Sequence, residues 1–263
     1  MKSFVCMKYV PDTSEADLKL DETGMGVDTS RLSFDINEAD NYAVEEAVQI
    51  KENHGGEVSV LSIGPQDSEV TIRMALAKGG DNAVRIEDSR INRFDPLAIA
   101  KVLASAVKDK EFDLILTGCM ASDDGHMSVG VAMAEELGVS HASMVKQVEV
   151  LDGKVKVHRE LEGGLMEVVE LELPAVLTIQ TGINEPRYAP IKGIRKAQKK
   201  ELNVVSLDDL GLPAEQVDEN ASKIKLKDFY IPVVEAKAEF IEGEEPEEKA
   251  EKLAEIMQKG GLV

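Results

Sequence analysis

The sequence has no tryptophan, and aromatic residues fill only 4% of its 263 positions. So few rings leave little on which the bases of a nucleic acid could stack. Positive charge is also scarce: 30 Lys and Arg face 50 Asp and Glu, for a formal net charge of −20. A chain this acidic repels a phosphate backbone, so nucleic acid is excluded as a partner. No apolar run approaches the ~20 residues of a membrane helix, which argues against membrane insertion. The segment Ser3–Val10 is apolar but short, ends at Pro11 and reads as a first strand rather than a signal peptide. The two cysteines, Cys6 and Cys119, form no metal-spaced pair and suit a reduced, cytoplasmic protein.

Chemical motifs are missing as well. No GxGxxG follows the first strand, and no GxxxxGK[ST] occurs anywhere. This excludes an ordinary nicotinamide dehydrogenase and a P-loop NTPase. The four histidines, His54, His126, His141 and His158, show no metal-ligand spacing and no Ser-His-Asp arrangement. They read as solvated or structural, and no acid–base machinery is legible.

What is present is alternation. With 43% hydrophobic residues, the chain can bury one large α/β domain with an extension. Ser3–Tyr9 reads as a strand, followed by a small hairpin turning at Asp21–Gly26. Asn37–Asn53 has apolar residues at helical spacing, with Asn37 as N-cap and Gly55–Gly56 as stop. Strands at Glu57–Ile63, Asn82–Ile86 and Asp113–Thr117 then alternate with helices at Ser68–Lys78, Asp95–Val107 and His126–Leu137. That order predicts a doubly wound, mostly parallel sheet of the Rossmann-like, adenine-nucleotide-binding kind. Four extended runs follow, Met144–Leu151, Lys154–Leu161, Met166–Leu173 and Ala175–Gln180, expected as an antiparallel addition. The domain is expected to span residues 1–212. Residues 213–263 form a polar C-terminal extension with a terminal helix at Glu247–Met257.

In a sheet of this kind ligands bind beyond the carboxyl ends of the strands. The loop Gly118–Gly125 (GCMASDDG) is the most informative, because it joins a strand to a helix through small residues and Asp. A helix amino end suits a phosphate. Equally, Ser122, Asp123 and Asp124 suit simple capping. The segment Asn184–Lys200 (NEPRYAPIKGIRKAQKK) concentrates basic residues in an acidic chain. Pro186 and Pro190 fix an exposed loop with an apolar tip at Ile191, so docking is the favoured reading over a solvated face.

Several segments resemble one known family. Val157–Gln180 (VHRELEGGLMEVVELELPAVLTIQ) with Asn184–Tyr188 (NEPRY) is similar to the signature region of electron-transfer flavoprotein β subunits. Val5–Thr13 (VCMKYVPDT), Tyr42–Lys51 (YAVEEAVQIK), Ile63–Pro65 (IGP) and the AxDD of Ala121–Asp124 resemble the same family, in the same order. The resemblance implies an electron carrier, not a self-contained enzyme, paired as a heterodimer with an α subunit. It implies FAD shared with that subunit, an acyl-CoA dehydrogenase-type redox partner, and an adenine nucleotide in the β subunit. That nucleotide is AMP in simple members and a second FAD, oxidising NADH, in electron-bifurcating ones. Carried over by position, the nucleotide site comprises Cys6, Asn37, Ile63, Ala121, Asp124, Gly125, His126, Met127, Ser128 and Val129. Partner docking falls to Arg187, Tyr188, Ile191 and Lys192.

The chain departs from the family's pattern at Met127-Ser128-Val129, where AMP-type members carry Asn-Gln-Thr. Val129, Pro11–Thr13 and Asp40 lean toward the bifurcating type, while Ser128 lacks an amide for phosphate. AMP, a second FAD and an empty site all stay open, the last leaving a purely structural partner of the α subunit. A stand-alone ATP-binding enzyme or stress-type nucleotide-binding protein is the alternative on the same fold.

Overall fold

A computed structural model describes residues 1–14, 16–232, 238 and 240–262. The chain divides into two compact units, Met1–Phe229 and Tyr230–Val263.

The first unit is built on a nine-stranded sheet. Its elements run β1 (Lys2–Cys6), β2 (Tyr9–Pro11), β3 (Phe34–Ile36), α1 (Glu38–His54), β4 (Glu57–Ile63), α2 (Glu69–Lys78), β5 (Asn82–Ile86), α3 (Pro96–Val107), β6 (Leu114–Gly118) and α4 (Val129–Leu137). Then come β7 (Ser140–Val150), β8 (Lys154–Glu160), β9 (Met166–Glu172), β10 (Ala175–Ile179), α5 (Ile191–Ala197) and β11 (Leu202–Val205). The strand order is β11-β5-β4-β1-β6-β10-β7-β8-β9, with β2 and β3 forming a separate antiparallel pair. From β11 through β7 every pairing is parallel, and only β7–β8 and β8–β9 are antiparallel. The expected doubly wound, mostly parallel sheet is present.

The central strands are apolar without interruption because both faces are covered. Along β1, Val5 and Met7 pack on one side with Ala43, Val44 and Ile72. Phe4 and Cys6 pack on the other with Leu103, Ile115 and Met133. The helices α1 and α2 therefore cover one face, and α3 and α4 the other. Asp95 caps α3 as expected, its Oδ1 accepting the Leu97 N–H at 2.9 Å.

Several boundaries differ from the sequence expectation. The strand β10 returns between β6 and β7 and pairs parallel with both, so only β8, β9 and one edge of β7 form the antiparallel addition. The Asp21–Gly26 turn is closed by a single bridge, Leu20 to Val27, rather than by two strands. Its Asp21 carboxylate holds the Thr23 hydroxyl and N–H. An additional strand, β11, pairs with β5. The compact unit also extends beyond residue 212: Leu212 and Val217 are buried in the core beside α3. The Lys223 N–H reaches Asp95.

The second unit contains one helix, α6 (Pro246–Lys259). Its turns carry the spaced pairs Lys252–Glu248 and Lys259–Glu255, which support an exposed helix. Among the described residues no helix is long and apolar enough to cross a membrane.

Close packing leaves Gly118 no room for a side chain. A Cβ at Gly118, the last residue of β6, would collide with Asp40 Oδ1 and lie 2.7 Å from the Asp40 backbone nitrogen. Gly118→Ala is expected to cost about 1–3 kcal/mol, because backbone cannot yield as a flexible side chain can. Urea denaturation measures it, and an unchanged midpoint would contradict this packing account.

Candidate functional site

The strand order reverses around β1, which sends the chain to β4 on one side and has β6 on the other. A cleft opens at the carboxyl ends of these strands, enclosing about 830 Å³ including its solvent-open mouth. Its floor is Cys6 and Ile63 from the strands with Ile99 and Leu103 from α3. Its walls are the loop after β1 and the loop from Gly118 to Ser128.

Those two loops are held from behind by the start of α1. The Asp40 carboxylate accepts the Lys8 N–H through Oδ2 and the Gly118 N–H through Oδ1, both at 2.8 Å. The Asn37 amide donates to the Met120 carbonyl at 2.8 Å, and its oxygen accepts the Ser122 N–H at 3.0 Å. Burial pushes the Asp40 carboxyl up to about 6, against the pull of its hydrogen bonds.

The front of the loop is locked by charge. Lys8 Nζ lies 2.7 Å from both Asp123 Oδ1 and Asp124 Oδ2. Burial raises the Asp124 carboxyl, but Lys8 and the His126 N–H together outweigh it and leave it below the ordinary range. Burial also pushes both cleft thiols, Cys6 and Cys119, upward. They are neutral lining groups rather than nucleophiles.

Beyond Gly125 the chain passes through Met127 at φ 55° before α4 begins. The N–H groups of residues 127 to 131 find no acceptor among the described residues. They form the uncapped amino end of α4, which favours an anion. Among the described residues no group of three or more His, Cys, Asp or Glu is placed to hold a metal.

The electron transfer flavoprotein domain model matches residues 24–210. The electron transfer flavoprotein subunit beta of Methylophilus methylotrophus is 38% identical over 254 residues, 95% of this chain and 96% of that protein. That of Bacillus subtilis is 37% identical, covering 98% of this chain and 97% of its own. A caffeyl-CoA reductase-Etf complex subunit, CarD, of Acetobacterium woodii is 35% identical over 92% of each chain. The chain belongs to the electron transfer flavoprotein β-subunit family. That membership replaces the reading as a stand-alone ATP-binding enzyme or stress-type protein.

Against this electron transfer flavoprotein fold the expected site residues separate. Cys6, Ile63, Ala121, Asp124, His126, Met127, Ser128 and Val129 line the cleft. Gly125 does not line it. It makes the turn, with φ 66° and its N–H on the Ala121 carbonyl. Asn37 is buried, and its amide is spent on the loop, so it shapes the wall rather than offering a hydrogen bond to a ligand. Nor does its side chain cap α1. The helix expected from His126 starts at Val129. Asp123 and Asp124 therefore cap nothing and bind Lys8 instead.

Lys8, Asp40 and Arg93 were not assigned to the site by sequence. Asp40 carried a signal as a family-like position, and Lys8 as part of the family-like segment Val5–Thr13 after the first strand; Arg93 carried none. In the basic segment, Tyr188 and Ile191 are 97% and 74% exposed. Lys192 is exposed too. Arg187 instead turns inward and grips Glu45 and Glu52 of α1. Its guanidinium is an anchor for the loop and is not free for a partner.

Because the Asp40 carboxyl sits above its ordinary 3.8, its ionised form opposes folding. The cost is absent below about pH 4, grows as pH rises through about 6, and is constant above. Wild type should lose about 2–3 kcal/mol relative to Asp40→Asn between about pH 4 and pH 7, measured by urea denaturation. Parallel pH profiles for the two proteins would contradict the upward shift of Asp40.

Proposed function

We propose that this chain is the β subunit of a heterodimeric electron-transfer flavoprotein, passing electrons between acyl-CoA dehydrogenase-type enzymes and a further donor or acceptor. The observation that carries this reading is the cleft at the carboxyl ends of the parallel strands. The cleft has an apolar floor and, at the amino end of α4, N–H groups without an acceptor among the described residues. The residues suit an adenine nucleotide. Ile63, Ile99 and Leu103 offer apolar surface to a base, and the amino end of α4 offers N–H donors to a phosphate. Lys8 contributes by steadying the loop, since two carboxylates already occupy its ammonium.

A flavin held with the α subunit supplies the reversible electron chemistry. This chain's residues bind, orient and shield. The adenine nucleotide is AMP in a simple shuttle or the adenylate half of a second FAD in a bifurcating protein. The second unit packs on the α subunit, to which Leu253 and Ile256 of α6 offer apolar side chains. A cytoplasmic setting suits the two free cysteines.

The deciding experiment is to purify the chain with its α subunit, denature the complex and quantify released nucleotides by chromatography. One FAD and one AMP per heterodimer support the simple shuttle. Two FAD and no AMP support bifurcation, with NADH oxidation measured next. FAD alone would overturn a nucleotide role for the cleft.

Docking falls to the rigid segment Tyr188–Lys192. Pro190 precedes α5, and Arg187 bolts the segment to α1. Ile191→Ala is expected to slow electron transfer with the dehydrogenase about tenfold while leaving flavin content unchanged. Unaltered rates in stopped-flow reduction would move the docking site elsewhere.

A further inference from the structure

We propose that Arg93 makes the cleft selective for a nucleotide bearing a second phosphate; this rests on the reading of the cleft as an adenine nucleotide site. Three observations carry it. First, Arg93, in the segment before α3, lines the cleft together with Met127, Ser128 and Val129 at the amino end of α4, and it is exposed. Second, it makes no ion pair among the described residues, whereas Arg90 nearby is held by Asp88 and Asp208. The cleft's lysine, Lys8, is likewise held, by Asp123 and Asp124. Arg93 is therefore the one uncommitted Lys or Arg side chain among the lining residues. Third, the first phosphate has donors already in the N–H groups of residues 127 to 131, while the amino end of α3 is closed by its own Asp95.

An exposed, uncommitted guanidinium in the lining thus answers a charge that lies beyond the first phosphate. The mouth also carries apolar surface suited to a ligand longer than a mononucleotide. Met120 and Met127 line the cleft while remaining 44% and 48% exposed. Arginine suits this task because its planar fork binds phosphate oxygens in pairs.

The test uses the heterodimer after nucleotide removal and measures Kd for AMP and for ADP by displacement of a fluorescent ADP analogue. Wild type should bind ADP about tenfold more tightly than AMP, the size of one charge-assisted hydrogen-bonded contact. Arg93→Gln should abolish that preference and leave AMP affinity within about twofold, while Arg93→Lys keeps part of the preference. Unchanged melting of the variants excludes a general loss of fold. The proposal is overturned if wild type does not prefer ADP, if Arg93→Gln keeps the preference, or if it weakens both nucleotides equally. Failure of wild type to bind either nucleotide would instead overturn the reading of the cleft itself, and this proposal with it.

Discussion

The candidate site hangs on one carboxylate. Asp40 sits at the start of α1, buried, and accepts one backbone N–H from each of the loops that follow β1 and β6. Those N–H groups lie where the sheet ends and its ladder can no longer satisfy them. A buried donor without a partner costs about 1–3 kcal/mol, so Asp40 serves both loops at once. The arrangement works only because Gly118 lacks a Cβ, which lets β6 press against the α1 backbone. Asn37 extends the brace one turn outward to Met120 and Ser122. The loops are thus fixed from the side away from the cleft, which leaves their inner surface free of structural duties.

The same helix fixes the exposed basic segment. Glu45 and Glu52 clasp Arg187, and Glu46 accepts from the Asn184 amide. Burial raises the Glu45 carboxyl, but the Arg187 and Gln49 hydrogen bonds outweigh it and hold it low. One helix therefore braces the cleft loops near its amino end and the exposed basic segment farther along. This explains an oddity of α1: Asp40, Glu45 and Glu46 are all buried, although the helix is rich in charge.

The legibility of the chain follows the range of the interactions. The strands β4 and β5, and α3 with its Asp95 cap, were read correctly because apolar runs, spacing and caps are local signals. The start of α4 was misplaced because Ser122, Asp123 and Asp124 have the composition of caps. Their use is decided by Lys8, more than a hundred residues away in sequence. The slot of β10 between β6 and β7 was hidden for the same reason, since alternation along a strand does not say which neighbours it has. Asn37 does hold the N-cap position of α1, as its place before the helix suggested, but its side chain makes no capping bond. Its amide was available to a loop that only the fold brings near. Arg187 stands in a basic run, yet its partners lie on α1 and leave no mark on the local sequence.

The overall charge of −20 gives this arrangement its logic. A chain so acidic has few cations to place around an anion, and the cation nearest the loop, Lys8, is used to neutralise Asp123 and Asp124. That pairing folds the loop back and lets α4 begin late, at Val129, with its first N–H groups uncapped. On the proposed reading the phosphate is met by backbone dipoles rather than by side-chain charge. Such dipoles are fixed by the fold, need no reordering of long side chains, and fall off within one helical turn. Selectivity then depends on the position of the phosphate, not on a diffuse positive field. Position is what Asp40, Asn37 and Gly118 control from beneath the loop.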